Sequence, residues 1–201
     1  MGFDWAYRSG SPAWDVGRPQ PVFVDLAERG MIAGSVIDAG CGTGENALYL
    51  ASIGLAVTGV DAAPTAIERA NAKASARGIA ATFVVADALD LGGLGRTFDV
   101  AIDSGLFHVF SDEQRLRYVR SLGNVLRPGG RCFVLCFSDR QPGAMGPRRV
   151  SQPEIRDAFN DTGGWHVDSI TATHFVTQDA VRGPRAPHAW LAALTRLPQE
   201  A

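Results

Sequence analysis

The run Val36-Ile37-Asp38-Ala39-Gly40-Cys41-Gly42-Thr43-Gly44-Glu45, which opens VIDAGCGTGENALYLA at 36–51, decides the fold. An apolar pair leads to an acid, glycines follow at 40, 42 and 44, and a helical pattern begins. Glycines at the tip of a strand let a ligand approach the backbone closely, with a helix amino end behind it. A dinucleotide pyrophosphate requires G-x-G-x-x-G. Counted from Gly40, the third glycine falls at 44, so the spacing misses, and Glu45 would repel a pyrophosphate. No Gly-Lys-Ser/Thr follows, which excludes a P-loop. A plain glycine turn with no ligand remains the bland alternative at this point.

Outward from the turn, the hydrophobic pattern switches between strand and helix periods. Strands are expected at 35–40, 55–61, 80–87, 98–105 and 127–137, and helices at 22–32, 45–54, 64–78, 111–126 and 151–161. Pro64 opens the third of those helices and Gly78 ends it; Ser111 or Asp112 caps the next, and Ser151 with Glu154 forms a capping pair. WHVDSITATHFV (165–176) and HAWLAALTRL (188–197) read as two last strands, the second ambiguous with a helix. They have no helix-length spacer, so they should form an antiparallel hairpin. The expected class is α/β: a Rossmann-like, doubly wound, seven-stranded and mostly parallel sheet with an antiparallel C-terminal edge hairpin. Residues 1–201 form a single domain in this reading, with a cover segment and helix at 1–34, a ligand-binding core at 35–137 and an acceptor side at 138–201. No element is expected before Pro21. The Gly/Pro-rich connection SDRQPGAMGPRRV (138–150) leaves a strand carboxyl end, where long loops cover a ligand crevice.

Composition narrows the function classes. Hydrophobic residues make 46% of the chain and charged ones 20%, ordinary for a globular protein, and the net charge is −2. Lys73 is the only lysine and the arginines are scattered, so the basic stripe of a nucleic-acid binder is missing. Cys41, Cys132 and Cys136 suit a reducing compartment, and the last two are expected in the core of one strand. His166, His174 and His188 have no partners at ligand spacing, so no metal site is expected. No apolar run reaches bilayer length and Met1–Gly10 lacks a signal-like stretch; a cytoplasmic protein is expected, with the oligomeric state open.

The D-x-G-x-G-x-G pattern resembles the first motif of the class I S-adenosylmethionine-dependent methyltransferases. Further matches come in order: VTGVDAAP ends the second strand at Asp61, and VVADALDL ends the third at Asp87. FDVAIDSGLFHVF and LRPGGRCFVL match the fourth- and fifth-strand motifs, so the resemblance spans about residues 35–137. It implies S-adenosylmethionine as donor and S-adenosylhomocysteine as product. It places Gly40 and Gly42 against the methionine portion and Asp38 near its ammonium. Asp61, with Ala62, would hold the ribose, and Asp87, with Ala88 and Leu89, the adenine. Asp103 and Ser104 would help with the amino-acid end. Asp61, about twenty residues past the glycines, also stands where an acid can accept both ribose hydroxyls.

The residues just past the fourth strand bear on the acceptor. Asp103-Ser104-Gly105-Leu106 lacks the prolines and ring of an amino-methylating nucleic-acid enzyme, and no Pro-Cys offers a cytosine nucleophile. Phe107 and Phe110 would line an apolar acceptor pocket, with His108 taking a proton from a hydroxyl or ring nitrogen, or only orienting the acceptor. The alternative packs the phenyl rings under the next helix and leaves His108 in the core. The 138–150 loop would bring Asp139 and Arg148 over that pocket, unless it is merely solvated. The segment WDVGRPQP is similar to the thiopurine S-methyltransferase and tellurite-resistance branch, where it folds over the donor; this would make Trp14 a cover and Arg18 a polar contact. Together with IDSGLFH it looks closest to the mycobacterial heterocyclic-toxin (benzoquinone) methyltransferases. The resemblance implies a small-molecule aromatic acceptor methylated at oxygen or nitrogen. A thiol, halide or tellurite methyltransferase and a non-catalytic binder of the donor or product are the competing readings.

Overall fold

The structure, a computed structural model, describes residues 3–143, 146–178 and 186–198. Its strands are β1 (Ser35–Ala39), β2 (Ala56–Asp61), β3 (Thr82–Val85), β4 (Phe98–Ser104), β5 (Leu126–Phe137), β6 (Trp165–His174) and β7 (His188–Arg196). Its helices are α1 (Phe3–Arg8), α2 (Pro21–Glu28), α3 (Glu45–Ser52), α4 (Pro64–Arg77), α5 (Asp112–Val125) and α6 (Gln152–Ala158). One seven-stranded sheet runs β3-β2-β1-β4-β5-β7-β6. The first five strands are parallel, while β7 inserts antiparallel between β5 and β6. This is the expected sheet with its antiparallel edge pair. The ambiguous 188–197 segment is a strand because it lies between two others and buries both faces, from Ala189 to Leu194.

Alternation along β1 explains how the sheet divides its core. Val36 faces Phe23, Leu48 and Ile67 on the α2–α3–α4 side, while Ile37 and Ala39 face Tyr118, Leu122 and Ile155 on the α5–α6 side. Burying each large apolar side chain contributes roughly 1.5–3 kcal/mol, so two opposed layers fix the register of every strand. The order of the parallel strands reverses between β1 and β4, and the crevice at their carboxyl ends is the place for a ligand. Cys132 and Cys136 are buried in the α5-side layer. Among the described residues, no helix is long and apolar enough to cross a membrane.

The sequence missed α1. Six residues are too few to show a period or to hold a helix alone, so tertiary contacts hold it. Tyr7 buries against Ala63 and Ala66, and Arg69 donates to the Tyr7 and Gly10 carbonyls. Ala63, the N-cap of α4, offers no side-chain acceptor; Asp4 of α1 supplies it, with Oδ1 accepting from the Thr65 amide at 2.9 Å. That capping role lowers the Asp4 pKa. The first helix is therefore seated on α4.

Candidate active site

The glycine turn leaves β1 with Gly40, Gly42 and Gly44 at positive φ, a path that only glycine takes without strain. Asp61 at the end of β2 secures it: one carboxylate oxygen accepts from the Gly42 amide at 2.9 Å and the other from Ala63 at 2.8 Å. Burial raises the Asp61 pKa against those two amide bonds. Tyr7 closes the turn from above, and a Cβ on Gly42 would lie 2.7 Å from the Tyr7 hydroxyl. Glu45, expected to repel a phosphate, instead pairs with Lys73 at 2.7 Å and Arg77 at 2.8 Å. Its charge is taken up by α4, and the glycine spacing alone is left to argue against a pyrophosphate.

Asp38 is fully buried and neither carboxylate oxygen has a hydrogen-bond partner among the described residues. Burial first, and then the neighbouring Asp103, pushes its pKa up to about 8. The Ala47 amide favours its charged form without closing a hydrogen bond. Such an orphaned acid is costly unless a cationic or donor-rich ligand arrives to satisfy it. Asp103 on β4 is the opposite case. It accepts from the Leu106 amide (2.7 Å), the Phe107 amide (3.0 Å) and the Tyr118 hydroxyl (2.9 Å), although burial still pushes it up to about 7. Its side chain therefore shapes the turn after β4, with Ser104 half-buried beside it.

The other donor-side residues are placed around this floor. Asp87 caps the 3₁₀ turn Ala88–Leu94 by accepting from the Leu89 amide at 2.9 Å. Asp87 and Ala62 are exposed, Ala88 is buried and Leu89 is half-buried. Trp14 is half exposed and donates from Nε1 to the Tyr7 hydroxyl at 2.9 Å, so it braces Tyr7, whose hydroxyl lies against Gly42. Arg18 is exposed and makes no hydrogen bond among the described residues.

On the acceptor side the structure revises several expectations. Phe107 is fully buried, packed on Phe159 at 5.6 Å and beneath the Arg115 guanidinium at 4.8 Å, so it belongs to the core under α5 and α6. Phe110 is half-buried against Tyr118. Arg148 bonds Asp112 and Glu154, each at 2.5 Å, and ties the start of α5 to that of α6. Asp139 is exposed and accepts from Trp190 Nε1 at 3.1 Å.

His108 lies in a 3₁₀ turn, Phe107–Val109, stacked on Phe137 at 4.9 Å and edge-on to Phe175 at 5.9 Å. Its Nδ1 accepts from the Phe137 amide at 3.1 Å. Burial, then Arg115 and Arg149, push its pKa down to about 3, so the ring is neutral at physiological pH. With Nδ1 accepting, the hydrogen-bond network assigns the single proton to Nε2. The ring offers a donor there, which departs from the expectation that it takes a proton and leaves the alternative that it only orients the acceptor. Arg115, Phe137 and Phe175 were missed by the sequence reading. Arg115 had a signal: it stands three and four residues before Tyr118 and Val119 on the apolar face of α5, a core position for a cation. Phe137 and Phe175 meet across strands and left no local trace.

Among the described residues, an open depression of about 410 Å³ lies beside Leu89, Arg117, Arg120 and Trp165, and another of about 690 Å³ around Asp161–Gly164 and Pro198. Neither touches the glycine turn.

A methyltransferase domain model matches residues 36–130. The 2-heptyl-1-hydroxyquinolin-4(1H)-one methyltransferase of Mycobacteroides abscessus is 42% identical over 80% of this chain and 71% of its own length. The chain belongs to the S-adenosylmethionine-dependent methyltransferases. A solved structure from work on converting a disulfide bond into a thioacetal group in echinomycin biosynthesis is 40% identical to the methyltransferase. It superposes with a TM-score of 0.88, over 97% of this chain and 91% of that one. A probable thiol methyltransferase of Arabidopsis thaliana is 28% identical, over 92% of this chain and 80% of its own. The methyltransferase's own residues fit the donor: a buried, unpartnered Asp38 below a glycine turn suits a ligand that carries an ammonium and a sulfonium.

Proposed function

We propose that this methyltransferase acts on a small, fairly apolar aromatic or heterocyclic acceptor, at oxygen or nitrogen. The likeness to the hydroxyquinolinone enzyme at 42% identity carries the reading. The aromatic wall of His108, Phe137 and Phe175 supports it, since flat rings stack on such surfaces. When bound, the donor supplies an electrophilic methyl group on a sulfonium. The protein's task is to align the acceptor with that carbon and keep water out.

In this reading Asp38, Gly40 and Gly42 receive the amino-acid end, helped by Asp103 and Ser104 through the β4 turn. Asp61 and Ala62 face the ribose, and Asp87, Ala88 and Leu89 the adenine. Tyr7 and Trp14 form the cover, and Arg18 stands at its outer rim. His108 and Phe110 face the acceptor with Asp139 at the edge, while Arg148 secures the loop that frames them. The protein works in the cytoplasm on a small molecule without nucleic acid.

A thiol acceptor is the second reading, favoured by the Arabidopsis relative. Incubation with S-adenosylmethionine and a panel of 1-hydroxyquinolin-4(1H)-ones, phenols and aryl thiols separates the two. We expect S-adenosylhomocysteine and a methylated heterocycle by mass. Turnover confined to thiols would replace the first reading with the second, and no turnover on the panel would overturn both.

A further inference from the structure

The acceptor side holds cations and a hydrogen-bond donor around one ring. His108 presents Nε2–H, because its Nδ1 is taken by the Phe137 amide. Arg115, 4% exposed, donates from Nε to the carbonyl of the adjacent Phe107 and from Nη1 to Glu154; its buried Nη2 has no hydrogen-bond partner among the described residues. A guanidinium nitrogen left unsatisfied in the interior is rare, and it leaves the Arg115 charge only partly compensated by Glu154. Arg149 folds over Phe137 at 5.6 Å, donating to the carbonyls of Gln141, Gly143 and Pro147. The carboxylates nearby are engaged elsewhere. Glu154 is shared by Arg115, Arg148 and the Ser151 cap, Asp103 holds the Leu106 and Phe107 amides and Tyr118, and Asp139 holds Trp190 and Ser138. A general base would have to be unprotonated and facing the acceptor. His108 shows its proton instead.

We propose that the acceptor is bound as its anion, seated against His108 Nε2–H in the positive surroundings of Arg115 and Arg149, with its proton already lost to solvent. This rests on the aromatic-acceptor reading and narrows it: the substrate carries an N-hydroxyl, phenolic hydroxyl or thiol acidic enough to ionise near neutral pH. A ring with only a weakly acidic group stays neutral and forfeits the charge-assisted bond. His108 is then the residue that recognises charge. Arg115, acting through its surroundings, is a positioning residue.

Calorimetric titration of the whole protein tests this with 1-hydroxyquinolin-4(1H)-one and with quinolin-4(1H)-one, which lacks the hydroxyl. At a pH one unit below the acidity of the first probe, repeated in buffers of different ionisation heat, we expect close to one proton released per probe bound. One unit above, none should be released. The deoxy probe should bind about 10-fold to 100-fold more weakly, the range for a hydrogen bond to a charged group. His108→Phe, which keeps the stack on Phe137, should erase most of that preference, and His108→Gln, which restores an N–H, should recover much of it. No proton release with equal affinity for both probes would overturn the proposal, as would a preference that survives in His108→Phe. If neither probe nor an aryl thiol binds or is methylated, the aromatic-acceptor reading itself fails.

Discussion

The proposed donor end and the proposed acceptor side of the crevice carry opposite electrostatics. At the donor end Asp38, Asp61 and Asp103 gather at the tips of β1, β2 and β4, where burial raises the pKa of all three and Asp103 and Asp61 add to the rise at Asp38. Just past Ser104 the sign reverses: His108 is held neutral by burial with Arg115 and Arg149 beside it. An acidic floor suits a cationic ligand and a basic wall suits an anionic one. The difference teaches how a fold can bring two reactants together. The first leaves a buried carboxylate at Asp38 without a hydrogen-bond partner among the described residues, and the second a buried guanidinium nitrogen at Arg115.

The sharpest way to break the comparison is at their junction. Asp103→Ala strips the acceptor from the Leu106 amide, the Phe107 amide and the Tyr118 hydroxyl, all at the turn that separates the halves. Burying those donors unpaired should destabilise the fold by roughly 2–5 kcal/mol, seen as a lower midpoint in urea. A midpoint within error of the wild type would show that the turn does not depend on this acid.

Asp61→Ala tests the donor half alone. It frees the Gly42 and Ala63 amides and removes the acid we propose for the ribose. S-adenosylhomocysteine should bind more weakly by roughly 1.5–3 kcal/mol, the range for hydrogen bonds to a charged group. Affinity unchanged by titration would leave Asp61 as a loop clamp and no more.

The two halves also differed in how far the sequence revealed them. The donor end is written locally, because its residues are strand tips and the turn after them: Asp38, Gly40, Gly42 and Asp61 lie within two βα units. Fold and donor class were legible for the same reason, since sheet order follows from alternating periods. The acceptor side is assembled from distant chain, with Phe137 leaving β5, Phe175 leaving β6 and Arg115 reaching across from α5. Strand pairing set these contacts, and pairing leaves no spacing to count. Phe107 shows the limit most plainly: adjacent to His108, it turns the other way into the core. Likewise Trp14 was visible as an odd aromatic, yet the residue against Gly42 is Tyr7, on a helix too short to read.

The test that bears most directly on the floor of the crevice is a pH profile. Asp38 in the folded chain titrates at about 8, raised mainly by burial and then by Asp103. An unfolded aspartate titrates near ~3.9, so between those values the folded chain binds more protons than the unfolded one. The stability that protonated Asp38 allows is therefore complete below the unfolded value and is lost as pH rises through the folded one. The donor-free protein should be less stable at the alkaline end of that window than at the acidic end. Asp38→Asn cannot ionise, so it should flatten the fall and be more stable than the wild type above the folded pKa, while weakening donor binding. Urea unfolding across the window, with and without S-adenosylhomocysteine, reads both. Ligand should restore the wild type at alkaline pH far more than the variant. Parallel pH profiles for the two proteins would mean that the floor is not charged by Asp38, and the contrast between the two halves would then rest on Asp61 and Asp103 alone.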